Sequence, residues 1–310
     1  MIRVLEGGAF TTVQDLGRAG WAVAGVPPSG AMDAFALRTA NRLAGNPEGA
    51  AGLEITMRGP RLAFEAGAVV AIAGAPFDGD LDGEPVPHNE SFRVRAGGTL
   101  RLATARTGVR AYLAVRGGIA VPPVLGSRST LVSAGLGGLL GRRLAERDYL
   151  RVGPQVADAP MRRLADKTGS DIRAGVLRAV PGPHDDAFTA RGRDAFFSQT
   201  FGVSTRSDRA GVRLEGEPIE HADGADLDPE GVVTGAVQVP GDGSPIVLGP
   251  DRPVTGGYVT IGAVITADLS LIAQARPGET LRFERVDVSD ARAAWREREA
   301  AFARAIEDVQ

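Results

Sequence analysis

Cysteine is absent from the 310-residue chain. This excludes a thiol nucleophile, a disulfide framework, an iron–sulfur cluster and every cysteine-based zinc site. Histidine is scarce. His88, His184 and His221 lie far apart and form no H-x-x-x-H pair, so no metal site is expected. Lysine is scarcer still: Lys167 is the one lysine among 35 basic residues, which excludes both a Walker lysine and a second candidate for a Schiff base. Its surroundings, LADKTGS, are unlike a biotinylation sequence. An oxyanion clamp in this chain must therefore be built of arginine, whose planar fork binds carboxylate or phosphate bidentately. Positive charge is not in excess. A net charge of −3 argues against a nucleic-acid partner, which needs a basic stripe to displace counterions. Long apolar runs are also missing: the longest, such as 68–73, are strand-sized, against about 20 residues for a membrane helix. The start, MIRVLE, lacks the basic and apolar regions of a signal peptide. A cytoplasmic protein with no membrane partner is expected.

What is present, 43% hydrophobic and 24% charged residues with 42 Gly and 20 Pro, describes a globular chain of about two domains. Short β-branched or alternating runs punctuated by Gly, Pro and Asp-Gly make it mainly β. The clearest strands are 53–58, 68–74, 91–96, 99–104 and 109–116 in the first half, with Asp82-Gly83 and Gly97-Gly98 as hairpin turns. In the second half they are 232–239, 245–249, 258–265, 269–274 and 280–285. SFRVRAGGTLRL at 91–102 echoes LIAQARPGETLRF at 271–283, suggesting two related barrels. The weakly periodic stretch 154–173 serves as a linker. A helix is expected over 32–44, stopped by Gly45-Asn46-Pro47, and another from about Asp290, capped by Ser289, with Trp295, Phe302, Ile306 and Val309 on one face. The domains so drawn are 1–160, 161–288 and a terminal helix, 289–310.

Three segments carry the polar chemistry. In TTVQDLGRAGWAVAGVPPSGAMD (11–33), Gln14, Asp15, Arg18, Ser29 and Asp33 cluster among tight-turn residues. Such loops hold functional groups, although Asp15 capping a turn and Asp33 opening a helix is an equally physical use of both. In VSTRSDRAGVRLEG (203–216), Arg206, Asp208, Arg209 and Arg213 alternate in sign. This is either a solvated turn or an anion clamp whose arginines are oriented by Asp208. AVQVPGDGSPIVLGPDRPVTGGYVTIG (236–262) is the most site-like, with Asp251, Arg252 and then Thr255-Gly256-Gly257-Tyr258, where glycines let backbone N–H groups approach an oxyanion. As hairpin turns these loops need no function.

Taken together, TTVQDLGRAG (11–20), GVPPSGAMD (25–33), ANRLAGN (40–46), YLAVRGGI (112–119), LGSRST (125–130), VPGPHDDAF (180–188), TRSDRAGVRLEG (205–216) and GAVQVPGDGSPIVLGPDRPVTGGY (235–258) span nearly the whole chain. This set resembles the family of 5-oxoprolinase C subunits, also known as allophanate hydrolase subunit 2 or KipA-like biotin-dependent carboxyltransferase proteins. The resemblance implies two cyclophilin-like β-barrel domains with a few short helices. It also implies a hetero-oligomer with a KipI-like B subunit and a lactam-opening A subunit, which together convert 5-oxoproline to glutamate with ATP and Mg²⁺. On this reading Arg206, Arg209 and Arg252 make cationic contacts and Gly256 and Gly257 donate backbone N–H groups. Asp208 or Asp251 orients these groups or binds Mg²⁺, with no metal site belonging to the chain itself. Gln14, Asp15, Asp33, Gln238, Thr255 and Tyr258 bind substrate. Two alternatives accompany the resemblance: a carboxyltransferase component of a urea or amide carboxylase, using biotin carried by another protein, and a KipA-like module that sequesters a kinase inhibitor. One departure stands out. The family usually reads Asp-Arg-Gln-Thr-Thr-Gly-Gly-Tyr where this chain has Asp251-Arg252-Pro253-Val254-Thr255-Gly256-Gly257-Tyr258.

Overall fold

The computed structural model describes residues 1–154, 160–165 and 175–309. The chain forms two compact units that are not contiguous in sequence. Met1–Ala19, Ser29–Lys167 and Arg304–Gln310 make the first, and Gly20–Pro28 with Thr168–Ala303 the second. Most of the expected 154–173 linker lies outside the described residues, but Met161–Leu164 within it is a strand. Among the described residues no helix is long and apolar enough to cross a membrane.

In the first unit alternating apolar residues fold into two sheets. Strands Tyr149–Leu150, Ile2–Glu6, Arg61–Phe64, Thr99–Ala105, Phe77–Leu81 and Glu84–Pro85 form one, in that order. Phe10–Gln14, Gly52–Thr56, Arg110–Val115, Ala68–Gly74 and Ser91–Val94 form the other. Ile2, Val4, Leu62, Phe64 and Leu100 of the first sheet share one buried cluster with Val13, Leu53, Ile55, Val70 and Leu113 of the second. Burial on this scale is the main stabilising term. Asp82 (φ 54°) and Gly83 (φ 94°) make the expected tight hairpin, with both central residues in the left-handed region that matches strand twist. Gly97-Gly98 is a turn too, but the strands it joins lie in different sheets.

The helix expected over 32–44 runs Ala34–Ala44. Asp33 Oδ1 accepts from Ala36 N–H at its start, and Gly45 (φ 83°) ends it. Ala36, Leu37, Ala40, Leu43 and Ala44 face Ala71, Ala73, Tyr112 and Ala114 of the five-stranded sheet. The 3–4 residue spacing supplies the stripe, and the small alanines on both sides let the helix lie close.

The second unit is built on a closed seven-strand barrel: Val176–Pro181, Thr260–Val264, Ala236–Gln238, Ile246–Leu248, Gly211–Glu215, Thr200–Val203 and Thr280–Arg285. It closes through parallel pairing of Val176 with Arg282. Phe196, Phe201 and Phe283 are almost wholly buried. Phe196 stacks on Phe283 at 4.3 Å between centroids, and Phe201 meets Phe283 edge-on. Phe196 arrives on the helix Ala190–Ser198, whose N-cap, Thr189, accepts from Gly192 N–H. A two-stranded ribbon, Asp226–Gly231 with Thr255–Tyr258, extends from this unit.

Three local expectations give way. Residues 269–274 form a helix, Leu269–Gln274, rather than a strand, because an apolar run of six residues fits either state. The 91–102 and 271–283 echo therefore joins strand–turn–strand to helix–turn–strand and marks no structural repeat. The last helix runs Val288–Arg304 and is opened by Asp287, whose Oδ1 accepts from Asp290 N–H, so Ser289 is not the cap. Ile306 and Val309 then leave the helix for a strand, Ile306–Val309, paired with Met161–Leu164 in the first unit.

Candidate functional site

The loop 249–254 follows the barrel strand Ile246–Leu248, and its two charged residues have different fates. Asp251 grips Arg209 bidentately, Nε to Oδ2 at 2.7 Å and Nη2 to Oδ1 at 2.9 Å, with side chains only 8% (Arg209) and 11% (Asp251) exposed. That pairing uses the fork geometry of arginine and consumes both charges. Arg252 has no such counter-ion among the described residues. Its Nε and Nη2 both donate to the Val232 carbonyl, and its Nη1 is buried without a hydrogen-bond partner among the described residues. Burial pulls its guanidinium below the ordinary arginine range, though not far enough to discharge it at neutral pH. Val232 N–H in turn donates to the Val254 carbonyl, and Pro253 is exposed. The departure from the family pattern thus falls on one residue that faces solvent and one engaged through its backbone.

The turn 204–210 presents the remaining charges. Asp208 Oδ1 accepts the N–H groups of Ala210 and Gly211, closing the turn. Arg206 is exposed, with no side-chain partner among the described residues. Of the clustered arginines, Arg209 is neutralised, Arg252 is buried and Arg206 faces solvent. Among the described residues no three His, Asp or Glu side chains gather as a metal cage. Asp251 is occupied by Arg209 and Asp208 by backbone, so neither fits a magnesium ligand set.

Gln238, at the end of Ala236–Gln238, is buried and donates through Nε2 to the Tyr258 carbonyl at 3.0 Å. Gly256 lies directly over it: a Cβ there would come within 2.4 Å of the Gln238 amide. The glycine is therefore required by close approach and not by a turn. Thr255 and Tyr258 are exposed and Gly257 half-buried. Next to this group stand two residues that no sequence motif marked as functional. His184 Nδ1 accepts from Thr260 N–H at 3.2 Å, and His184 Nε2 lies 3.6 Å from Glu230 Oε1. The available signal was the position of His184 inside VPGPHDDAF; Glu230, 46 positions later, offered none.

The first-unit residues Gln14, Asp15 and Asp33 are buried. Asp15 accepts from Gly17 and Arg128 N–H and from the Ser127 and Ser129 hydroxyls, pinning the end of one strand to the 125–130 loop. Asp33 caps its helix. Gln14 Nε2 donates to Thr12 Oγ1 and the Thr130 carbonyl, while its Oε1 is buried without a partner among the described residues. Behind Asp33 lies a buried network: Asp33 N–H donates to Tyr112 Oη, which donates to Glu54 Oε2 at 2.7 Å, and Glu54 also accepts from Met32 N–H. The interior holds Tyr112 ionisation well above its ordinary range, through burial first and then the Glu54 charge.

Comparison with known proteins adds three findings. Residues 24–285 match the family model for the carboxyltransferase domain, subdomain A and B. The chain is 37% identical over 302 residues to the 5-oxoprolinase C subunit of Escherichia coli, covering 97% of this chain and 96% of that one. It is 36% identical to the urea amidolyase of Lachancea kluyveri, covering 96% of this chain but 18% of that one. Among solved structures, Kluyveromyces lactis urea carboxylase superposes with a TM-score of 0.88 at 33% identity, over 97% of this chain and 29% of that one. The chain thus spans under a third of the urea-acting proteins it matches.

Proposed function

The chain belongs to the family of carboxyltransferase domains with subdomains A and B, and on that premise we propose that it is the C subunit of an ATP-dependent 5-oxoprolinase. The observation that carries this reading is reciprocal length: this chain and a stand-alone 5-oxoprolinase C subunit cover 97% and 96% of each other. In this proposal the chain works with the A and B components of the enzyme, and ATP and Mg²⁺ enter through the assembled complex, since the carboxylates here are already committed. The contribution of this chain is to hold a planar amide whose oxygen gains charge as it is phosphorylated for ring opening. Fixed donors aimed at such an oxygen need no reorganisation during reaction. Arg252 and the Gly256-Gly257 backbone supply them, Arg206 adds an unpaired cation at the rim, and the Arg209–Asp251 pair fixes the loop that carries Arg252.

A second reading rests on the K. lactis urea carboxylase likeness: transfer of a carboxyl group through biotin borne by another protein, whose ureido oxygen is also a planar amide oxygen. The experiment that decides is an assay of glutamate and ADP from 5-oxoproline, ATP and Mg²⁺, with this chain added to or omitted from its A and B partners. Glutamate formed only when the chain is present is the expected result. A stable complex that forms none would overturn the first reading in favour of the second.

A further inference from the structure

His184, Thr260, Gln238, Gly256 and Glu230 form a closed ring of contacts in the second unit. Thr260 N–H donates to His184 Nδ1, and Thr260 pairs in register with Gln238 across the barrel. The Gln238 amide abuts Gly256 and holds the Tyr258 carbonyl, Gly256 pairs with Glu230 across the ribbon, and Glu230 returns to His184. Because Nδ1 is an acceptor, the proton of the neutral imidazole sits on Nε2. That N–H faces Glu230 Oε1 at 3.6 Å, beyond the roughly 2.7–3.2 Å of an N–H···O bond. Among the described residues it has no acceptor within hydrogen-bond distance. With side-chain exposures of 20% for His184 and 45% for Glu230, both are open to solvent. The result is a donor with a preset tautomer beside an acceptor carboxylate, with the two not bonded to each other.

We propose that His184 and Glu230 form a binding site for the N–H and C=O edge of a cyclic amide or cyclic urea, Nε2–H donating to the carbonyl oxygen and the Glu230 carboxylate accepting from the N–H. An ordinary trans amide turns its N–H and C=O to opposite sides. A five-membered lactam or cyclic urea is locked cis and turns both to one side, matching a donor and an acceptor placed side by side. Gln238 and Gly256 act as positioning residues, fixing the ribbon that carries Glu230. The inference rests on the 5-oxoprolinase reading for its first probe, 5-oxoproline; the biotin ureido ring has the same edge and is the second.

The test uses the full chain with ¹⁵N-labelled imidazoles. Three histidines give a spectrum assignable through His184→Gln, and 5-oxoproline, biotin and proline, which has no ring carbonyl, are the titrants. The expected result is a shift of the His184 Nε2 signal with 5-oxoproline or biotin, no shift of His88, and none with proline. In the assembled complex, Glu230→Gln and His184→Gln should raise KM about tenfold or more and move kcat less. Glu230→Gln, at a half-exposed rim, keeps the test open if His184→Gln fails to fold. No shift with either ring compound, together with an unchanged KM in a complex that makes glutamate, overturns this inference and leaves the 5-oxoprolinase reading standing. A shift with biotin alone, in a complex that makes no glutamate, supports the site and overturns that reading.

Discussion

Replacing Asp251 with alanine leaves the Arg209 guanidinium in a pocket where its side chain is only 8% exposed, with two N–H groups stripped of acceptors. Removing one partner of a buried pair costs about 3–5 kcal/mol, chiefly as the penalty of the stranded charge. Replacing both, as Arg209→Met with Asp251→Leu, removes the stranded charge along with the attraction and should recover most of that loss. The readout is built in: the two tryptophans, Trp21 and Trp295, both belong to the second unit, so intrinsic fluorescence follows the unit that holds the pair. With a slope of about 2–3 kcal/mol per molar urea, the Asp251→Ala midpoint should fall by more than about 1 M. The double variant should lie well above either single one. A single-variant loss under about 1 kcal/mol, or a double-variant loss equal to the sum of the singles, would refute the claim that the two charges are matched to each other.

Other perturbations separate stability from chemistry. Tyr112→Phe removes the hydroxyl between Asp33 N–H and Glu54 and should cost about 1–3 kcal/mol in urea unfolding, because buried polar groups are left unpaired. Burial holds His88 below the ordinary imidazole range, so below about pH 6.5 the unfolded chain binds a proton that the folded chain refuses. Stability should accordingly be fully present above that pH and fall as pH drops below it; His88→Gln should flatten that slope in urea midpoints taken at several pH values. Gly256→Ala drives a Cβ into the Gln238 amide, and overpacking of this kind costs about 1–3 kcal/mol, with KM of the complex expected to rise because the ribbon shifts. Arg206→Ala, at an exposed and unpaired position, should lower turnover with an unchanged unfolding midpoint, whereas Arg252→Ala should lower both. Wild-type rates in both would remove the arginines from the site.

Local signals carried much of the architecture. Asp33 and Gly45 bracket a helix that the pattern of apolar residues already outlined, and Asp82-Gly83 is a hairpin because only certain residues sit comfortably at positive φ. The run 269–274 misled because six apolar residues have no period to read, and Ala190–Ser198 escaped because ARGRDAFFS is mostly polar and is held by one buried phenylalanine in the barrel. The terminal strand Ile306–Val309 continues a helical pattern in sequence; its partner Met161–Leu164, about 145 positions away, overrides it. The candidate site followed the same rule. Motif density pointed to the loops at 206–209 and 251–258, but which charges pair there is fixed by contacts across 42 positions for Arg209 and Asp251.

That distinction sorts residues that composition treats as equivalent. An arginine already matched to a carboxylate in a poorly solvated loop has little left to give a ligand, since its field is cancelled at close range and moving it would expose an unpaired charge. Arg209 is therefore scaffold for its loop. Arg252 is held by a neutral carbonyl, which satisfies two N–H groups without cancelling the charge. A buried cation of this kind is costly to the fold, and it retains its full attraction for an incoming anion or a developing oxyanion. Glu230 and His184 repeat the logic with opposite polarity: a donor and an acceptor held just too far apart to satisfy one another. In both places the capacity to bind lies in what the fold positions and leaves unsatisfied, whereas the best-paired groups, Asp15, Asp33 and Asp251, have been used to build it.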